Sequence, residues 1–175
     1  NMKEGWYQRS FIATLRNNVE VEIKATRFLS LDLDEVGAIK YEIKALNSNA
    51  TIVFSPYLDA GITNEDTNWD DKFWDTYDVR VQKNSGYILS KTMKTEFHVC
   101  TGMLNQVFVN EKLQHISGNT SASDKKISIS YKTEMNKGDT ATLVKYGGYT
   151  VDLNHKKEDL QTSSAAVLKQ ASDAG

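Results

Sequence analysis

Several carboxylates crowd a stretch of about twenty residues: Asp59, Glu65, Asp66, Asp70, Asp71, Asp75 and Asp78. Three large aromatics, Trp69, Phe73 and Trp74, are interleaved with them. Such a set could do three kinds of chemistry. Closely spaced oxygen ligands could hold calcium, but the DxDxDG register of a calcium loop is absent. Two carboxyl groups some 5–10 Å apart across a sugar could act as acid and base on a glycosidic bond, a separation that sequence does not reveal. A long loop with aromatic anchors and a polar rim could dock on a partner, and tryptophan faces also stack on sugar rings. Against all three stands a plain alternative for Phe73 and Trp74, that they begin the next strand and cap a core. Trp69, within TNWDD, has less structural reason for its place. Asp59, Asn64, Asp66, Trp69 and Trp74 are therefore the candidates for a substrate rim or an interface.

Elsewhere the chain is sparing with chemistry. No glycine-rich phosphate loop, GxSxG elbow or HExxH occurs. One cysteine, Cys100, excludes an internal disulfide and a cysteine-based zinc site, and EFHVCTG reads as a strand holding a buried thiol. His98, His115 and His155 are scattered, without HxH or HxxxH spacing, and read as structural or surface residues. No metal site is expected. The sequons at Asn49 and Asn119 carry little weight. A net charge of −2 and a pI near 5.9 give no electrostatic case for nucleic acid or an anionic membrane. No apolar run approaches the roughly 18 residues that cross a bilayer. The opening NMKEGWYQRS shows no signal peptide and no obvious mature start.

The elements that must position the loop are strands. In VEVEIKAT, Val19, Val21, Ile23 and Ala25 alternate with polar residues, the period of a half-buried strand. AIKYEIKAL repeats this through Ile39, Tyr41, Ile43 and Ala45. YDVRVQ does so through Tyr77, Val79 and Val81, and KISISYKTEM through Ile127, Ile129 and Tyr131. GWYQRSFIATL alternates more loosely through Tyr7, Phe11, Ala13 and Leu15. TIVFSPYL, GYILSKTM, EFHVCTGM, QVFVNEKL and ATLVKYGGYTVDL complete about ten strands. Asn17–Asn18, Asn84–Gly86 and the turn at Gly138 are the expected connections, and Ser117–Lys126 is the expected unstructured linker. The pattern predicts an all-β fold, an antiparallel sandwich over residues 1–154, with 175 residues enough for one core. Residues 155–175 differ: Leu160, Ser164, Val167, Leu168 and Ala171 make one helical face, with Asn154 as the expected N-cap. That helix either packs on the sandwich or leads into a further domain.

Read as words rather than periods, parts of the chain resemble the N-terminal domain of glycoside hydrolase family 65. NMKEGWYQRSF is similar to the family's L-D-M-(K/R)-E-G and the strand after it, and TRFLSLDLDEVGAIKYEI to its RF-x-S segment. YLDAGITNEDTNWDDKFW resembles Y-x-D-x-x-x-x-N-x-D through Tyr57, Asp59, Asn64 and Asp66, in wording most like the maltose phosphorylases. The likeness is good from Asn1 to about Trp74.

The resemblance implies a sandwich of the galactose-mutarotase-like type, preceding linker helices and an α/α barrel. That barrel carries the catalytic glutamate and, in the phosphorylases, binds inorganic phosphate as co-substrate for inverting phosphorolysis of an α-glucosyl disaccharide such as maltose, with a hydrolase as the alternative parent. The barrel's motifs have no counterpart in these residues, so no catalytic residue is carried over and no cofactor is expected. The expected partners are the barrel, a second copy of the chain, and the disaccharide of the parent enzyme, which is expected to be cytoplasmic. The family's strands before the opening motif are also missing here, so an uncovered apolar face and self-association are expected. The acidic loop, without its partner, would be disordered or held by a neighbouring chain. A free-standing carbohydrate-binding module and a purely structural domain are the alternatives.

Overall fold

The computed structural model describes residues 2–3, 5–62 and 72–174, the first two by backbone alone. Among them run thirteen strands: β1 (Met2–Lys3), β2 (Trp6–Thr14), β3 (Glu20–Leu29), β4 (Val36–Ala45), β5 (Ala50–Phe54), β6 (Tyr57–Asp59), β7 (Trp74–Val81), β8 (Ser85–Thr92), β9 (His98–Val109), β10 (Lys112–Leu113), β11 (Asn119–Ala122), β12 (Lys126–Met135) and β13 (Thr140–Val151). The helix α1 (Leu160–Ala174) follows. Nine strands form one sheet in the order β1-β2-β3-β4-β13-β9-β8-β7, with β10 on β9. β11, β12, β5 and β6 form a smaller sheet. All pairings are antiparallel. This is the two-sheet, all-β arrangement with one C-terminal helix that the alternation predicts.

The sandwich core lies between the sheets. Val21, Ile43, Ala45, Ile88, Met103, Val107 and Leu143 of the large sheet meet Phe54, Leu58, Ile127, Ile129, Tyr131 and Met135 of the small one. A second core lies on the opposite face, where Leu160 and Leu168 of α1 cover Ala38, Tyr87, Leu89, Cys100 and Tyr146. The middle of the large sheet is thus buried on both faces, which is why β8 and β9 show long apolar runs instead of clean alternation. Cys100 is fully buried, and burial pushes its thiol up to about 11, so it is the inert structural group its strand setting predicts.

Several local expectations change. EFHVCTGM and QVFVNEKL form one twelve-residue strand, β9, because double-sided burial hides its continuity. TIVFSPYL divides at Pro56, which has no N–H to donate, yet β5 and β6 stay in one register along β12 and Pro56 O accepts from Ile129 N at 3.0 Å. The expected linker Ser117–Lys126 contains β11, an exposed polar strand. Tyr77 does not share a face with Val79 and Val81. A bulge between Thr76 and Asp78 turns it towards His98, edge-on at a ring distance of 5.9 Å. The turn at Gly138, where φ is 91°, does not close a hairpin but carries the chain from the small sheet to the large one. Asn17 and Asn18 do adopt the positive φ expected of them, 69° and 57°.

Helix α1 begins six residues after Asn154, beyond a 3-10 turn over Lys157–Asp159, so Asn154 is not its cap. Thr150 Oγ1 donates instead to Leu160 O at 2.8 Å, tying the first turn to β13. The face inferred from periodicity is confirmed at Leu160, Ser164 and Leu168, all buried, while Val167 is only partly covered. The helix sits close because β9 offers Gly102: a Cβ there would lie 2.3 Å from Ser164 Oγ and 2.8 Å from Leu168 Cδ1. Gly102→Ala should therefore overpack this contact and cost about 1–3 kcal/mol. Leu168→Ala should cost about 2–5 kcal/mol by cavity formation. Urea unfolding of both variants checks these values.

Candidate site on the uncovered inner face

The inner face of the large sheet is wider than the four strands that cover it. Pairing places Tyr7, Phe11, Leu29, Ile39 and Tyr149 on this face by parity with the core residues Val21, Ile43 and Leu143. All five are exposed, Leu29 by 80% and Tyr149 by 62%. Ile39 thus shares the predicted face with Tyr41, Ile43 and Ala45 but not their burial. Among the described residues, this part of the inner face is therefore apolar and uncovered.

Two neighbouring hollows lie on this face, about 400 and 1030 Å³, and Leu58, Thr101 and Tyr149 line both. The smaller brings together Asp59 and Trp74, fifteen positions apart in the chain, with Ile62, Ser90 and Tyr149 also on its wall. Trp74 is the first residue of β7, as the plain reading of it held, yet it is 44% exposed and does not close the core. The other three candidates, Asn64, Asp66 and Trp69, and the expectation about their loop, lie outside the described residues.

Asp59 ends β6 and is held twice. Its Oδ1 accepts from Gly61 N at 2.9 Å, and its Oδ2 pairs with Lys126 Nζ at 3.1 Å. The Gly61 N–H, then the Lys126 ammonium, hold this carboxyl below its ordinary value against a smaller opposing effect of burial. It is therefore a fixed anion, suited to accepting hydrogen bonds and not to donating a proton. Among the described residues of the smaller hollow it is the one carboxylate, so the described wall holds a single acid and not a pair.

Three residues near it, Tyr57, Lys145 and Tyr149, are not among the site candidates from sequence, although Tyr57 belongs to the family wording. Tyr57 is exposed and within reach of two ammonium groups, Lys126 at 4.8 Å and Lys145 at 5.9 Å from its ring centre. Lys145 Nζ donates to Tyr57 O at 2.6 Å, and burial lowers its pKa. Tyr149 follows two glycines of unlike purpose: Gly147 faces open space, whereas a Cβ at Gly148 would lie 2.8 Å from Glu35 O. Alternation in LVKYGGYTV, carried through Gly147, would have put Lys145 and Tyr149 on one face. What it could not reveal is that the small sheet stops short of them.

The Asp59 geometry has a pH consequence. A carboxyl whose folded value is depressed adds stability above its unfolded value, about 3.9, and loses it as pH falls through the lower folded value. NMR titration of the Asp59 carboxyl should show a midpoint below that of a free aspartate. Lys126→Met should move it upward, though not fully, because the Gly61 N–H remains.

The family model for glycosyl hydrolase family 65, N-terminal domain, matches residues 1–175. Maltose phosphorylase of Bacillus subtilis (strain 168) is 31% identical over the whole chain, and alpha,alpha-trehalose phosphorylase of Thermoanaerobacter brockii is 24% identical. The chain spans only 22% and 23% of the length of these relatives. A solved structure described as a kojibiose phosphorylase from the human microbiome superposes with a TM-score of 0.78 over 97% of the chain and 21% of its own length, at 22% identity, a likeness of fold. On the strength of the match over its full length, the chain belongs to the N-terminal domain family of glycosyl hydrolase family 65.

Proposed function

We propose that the chain is the non-catalytic β-sandwich of an α-glucoside phosphorylase, which docks a catalytic barrel, supports dimer assembly and lends the Asp59–Trp74 edge to the rim of the sugar site. The observation that carries this is the uncovered inner face: exposed Trp74 and Tyr149 beside a fixed carboxylate, with Tyr57 exposed near it on β6. Large aromatics in a polar setting are the usual anchors of an interface. The 31% identity to a maltose phosphorylase more than four times as long supports a parent enzyme of this class, with inorganic phosphate as its co-substrate. The depressed Asp59 carboxyl supports a binding role over proton transfer. A second reading, a free-standing carbohydrate-binding module, draws on the same exposed aromatics, and glycan binding by the isolated chain would favour it.

In the full-length enzyme, Trp74→Ala and Tyr149→Ala should each weaken assembly or substrate binding by about 2 kcal/mol, as truncated interface anchors do. KM or the dimer constant should move more than kcat. Trp69→Ala and Asp66→Ala should behave alike if their loop shares the rim. Normal kinetics and assembly in all four variants would remove the proposal. For the isolated chain, sedimentation should show self-association that Leu29→Glu reduces, and a clean monomer at high concentration would count against an adhesive inner face.

A further inference from the structure

A separate hollow of about 410 Å³ opens at an interruption in the large sheet, away from the Asp59–Trp74 edge. β8 pairs with β9 only up to Leu104, and β10 joins β9 only from Phe108. Between them, single backbone bonds carry the edge: Asn105 N donates to Asn84 O at 2.9 Å and Gln114 N to Val107 O at 2.8 Å. The gap lets the hollow reach inward past the sheet to Asn105 and Tyr131, which are 1% and 2% exposed and both line it. Asn105 Nδ2 donates to Asn84 O at 3.3 Å, while Asn105 and the Tyr131 hydroxyl are electrostatic neighbours, yet Asn105 Oδ1 and that hydroxyl complete no well-formed hydrogen bond among the described residues. Native structures leave few buried polar groups in this condition, and such groups commonly mark a place for a ligand or ordered water.

The rest of the lining indicates what kind of ligand. Gln106 and Gln114 add neutral amides that both donate and accept, and Tyr87 adds an aromatic wall. The charged groups at the helix side, Lys169 and Asp173, pair with each other at 2.6 Å, and with His115 the only histidine on the described wall, the lining offers no fixed net charge to an ion. A dry apolar cavity would lack these amides, and a cavity for one water would be near 30 Å³. We propose that this hollow binds a neutral polyhydroxylated ligand, a monosaccharide or polyol. Asn105 Oδ1 accepts from one ligand hydroxyl and the Tyr131 hydroxyl bonds another. The site is independent of the rim proposed above, since the two share no lining residue.

Isotope-labelled protein titrated with D-glucose, and separately with glycerol, tests this. Saturable shifts of the Asn105 side-chain amide and of Gln106 and Gln114 are expected. Tyr131→Phe, which keeps the ring and removes the hydroxyl, should weaken binding about tenfold, the loss of one hydrogen bond. Gln114→Ala, at a less buried position, should weaken it without threatening the fold. Three results would each overturn the site: no saturable shift, shifts confined to Trp74 and Tyr149, or a crystal soaked in either compound that holds ordered water only between Asn105 and Tyr131.

Discussion

The pairing of β13 with β4 on one side and β9 on the other is the constraint on which the rest of the structure depends. β13 runs the length of both neighbours without a register break, from Thr140 to Val151. Its alternate residues serve two cores at once, Ala141 and Leu143 facing the small sheet and Tyr146 facing the helix. A slip of one residue would exchange these faces and put Lys145 under the helix. Gly148 and Gly102, the latter on β9, add a second lock, since Glu35 O and the helix side chains occupy the space a Cβ would need. The central strands are therefore fixed from both faces, and the open surface lies at the margins.

The margins are where the functional candidates lie. At one end of β13, Asp152 accepts from both the backbone N–H and the ring Nδ1 of buried His98, at 3.0 and 2.9 Å. Burial raises the Asp152 carboxyl, but these bonds and the electrostatic influence of the His98 ring together bring it below its ordinary value. His155 bonds Glu35 at 2.7 Å and fastens the chain before β4 to the approach to α1. Neither histidine needs a ligand to account for it, in keeping with the structural role read from their scattered positions.

What was legible in the sequence follows from one-sided burial. β3, β4 and β12 alternate because one face is polar, and their inward residues Val21, Ile43, Ile127 and Ile129 were correctly grouped. Where both faces are buried, as in β9, the period disappears and one strand looks like two. Where neither is buried, as in β11, Asn-Thr-Ser-Ala looks like linker, though its backbone pairs with β12. A bulge is invisible to any fixed period, which is why Tyr77 was put on the wrong face. The helix start was misjudged because a 3-10 turn, Lys157–Asp159, stands between Asn154 and the first turn of α1.

The candidate site was legible in a different way. Asp59 and Trp74 were singled out by composition and by resemblance to family wording, and they do share one hollow. Their exposure together depends on the mismatch in width between the two sheets, a property of topology that no local window contains. Tyr149 illustrates the point: its place on the inner face follows from alternation, but its exposure follows from the short reach of β6 and β12. The hollow at Asn105 has the same origin, since it exists only because β8 ends before β10 begins. In this fold the sequence pattern assigns faces, and the ends of strands decide which parts of those faces remain open for contact.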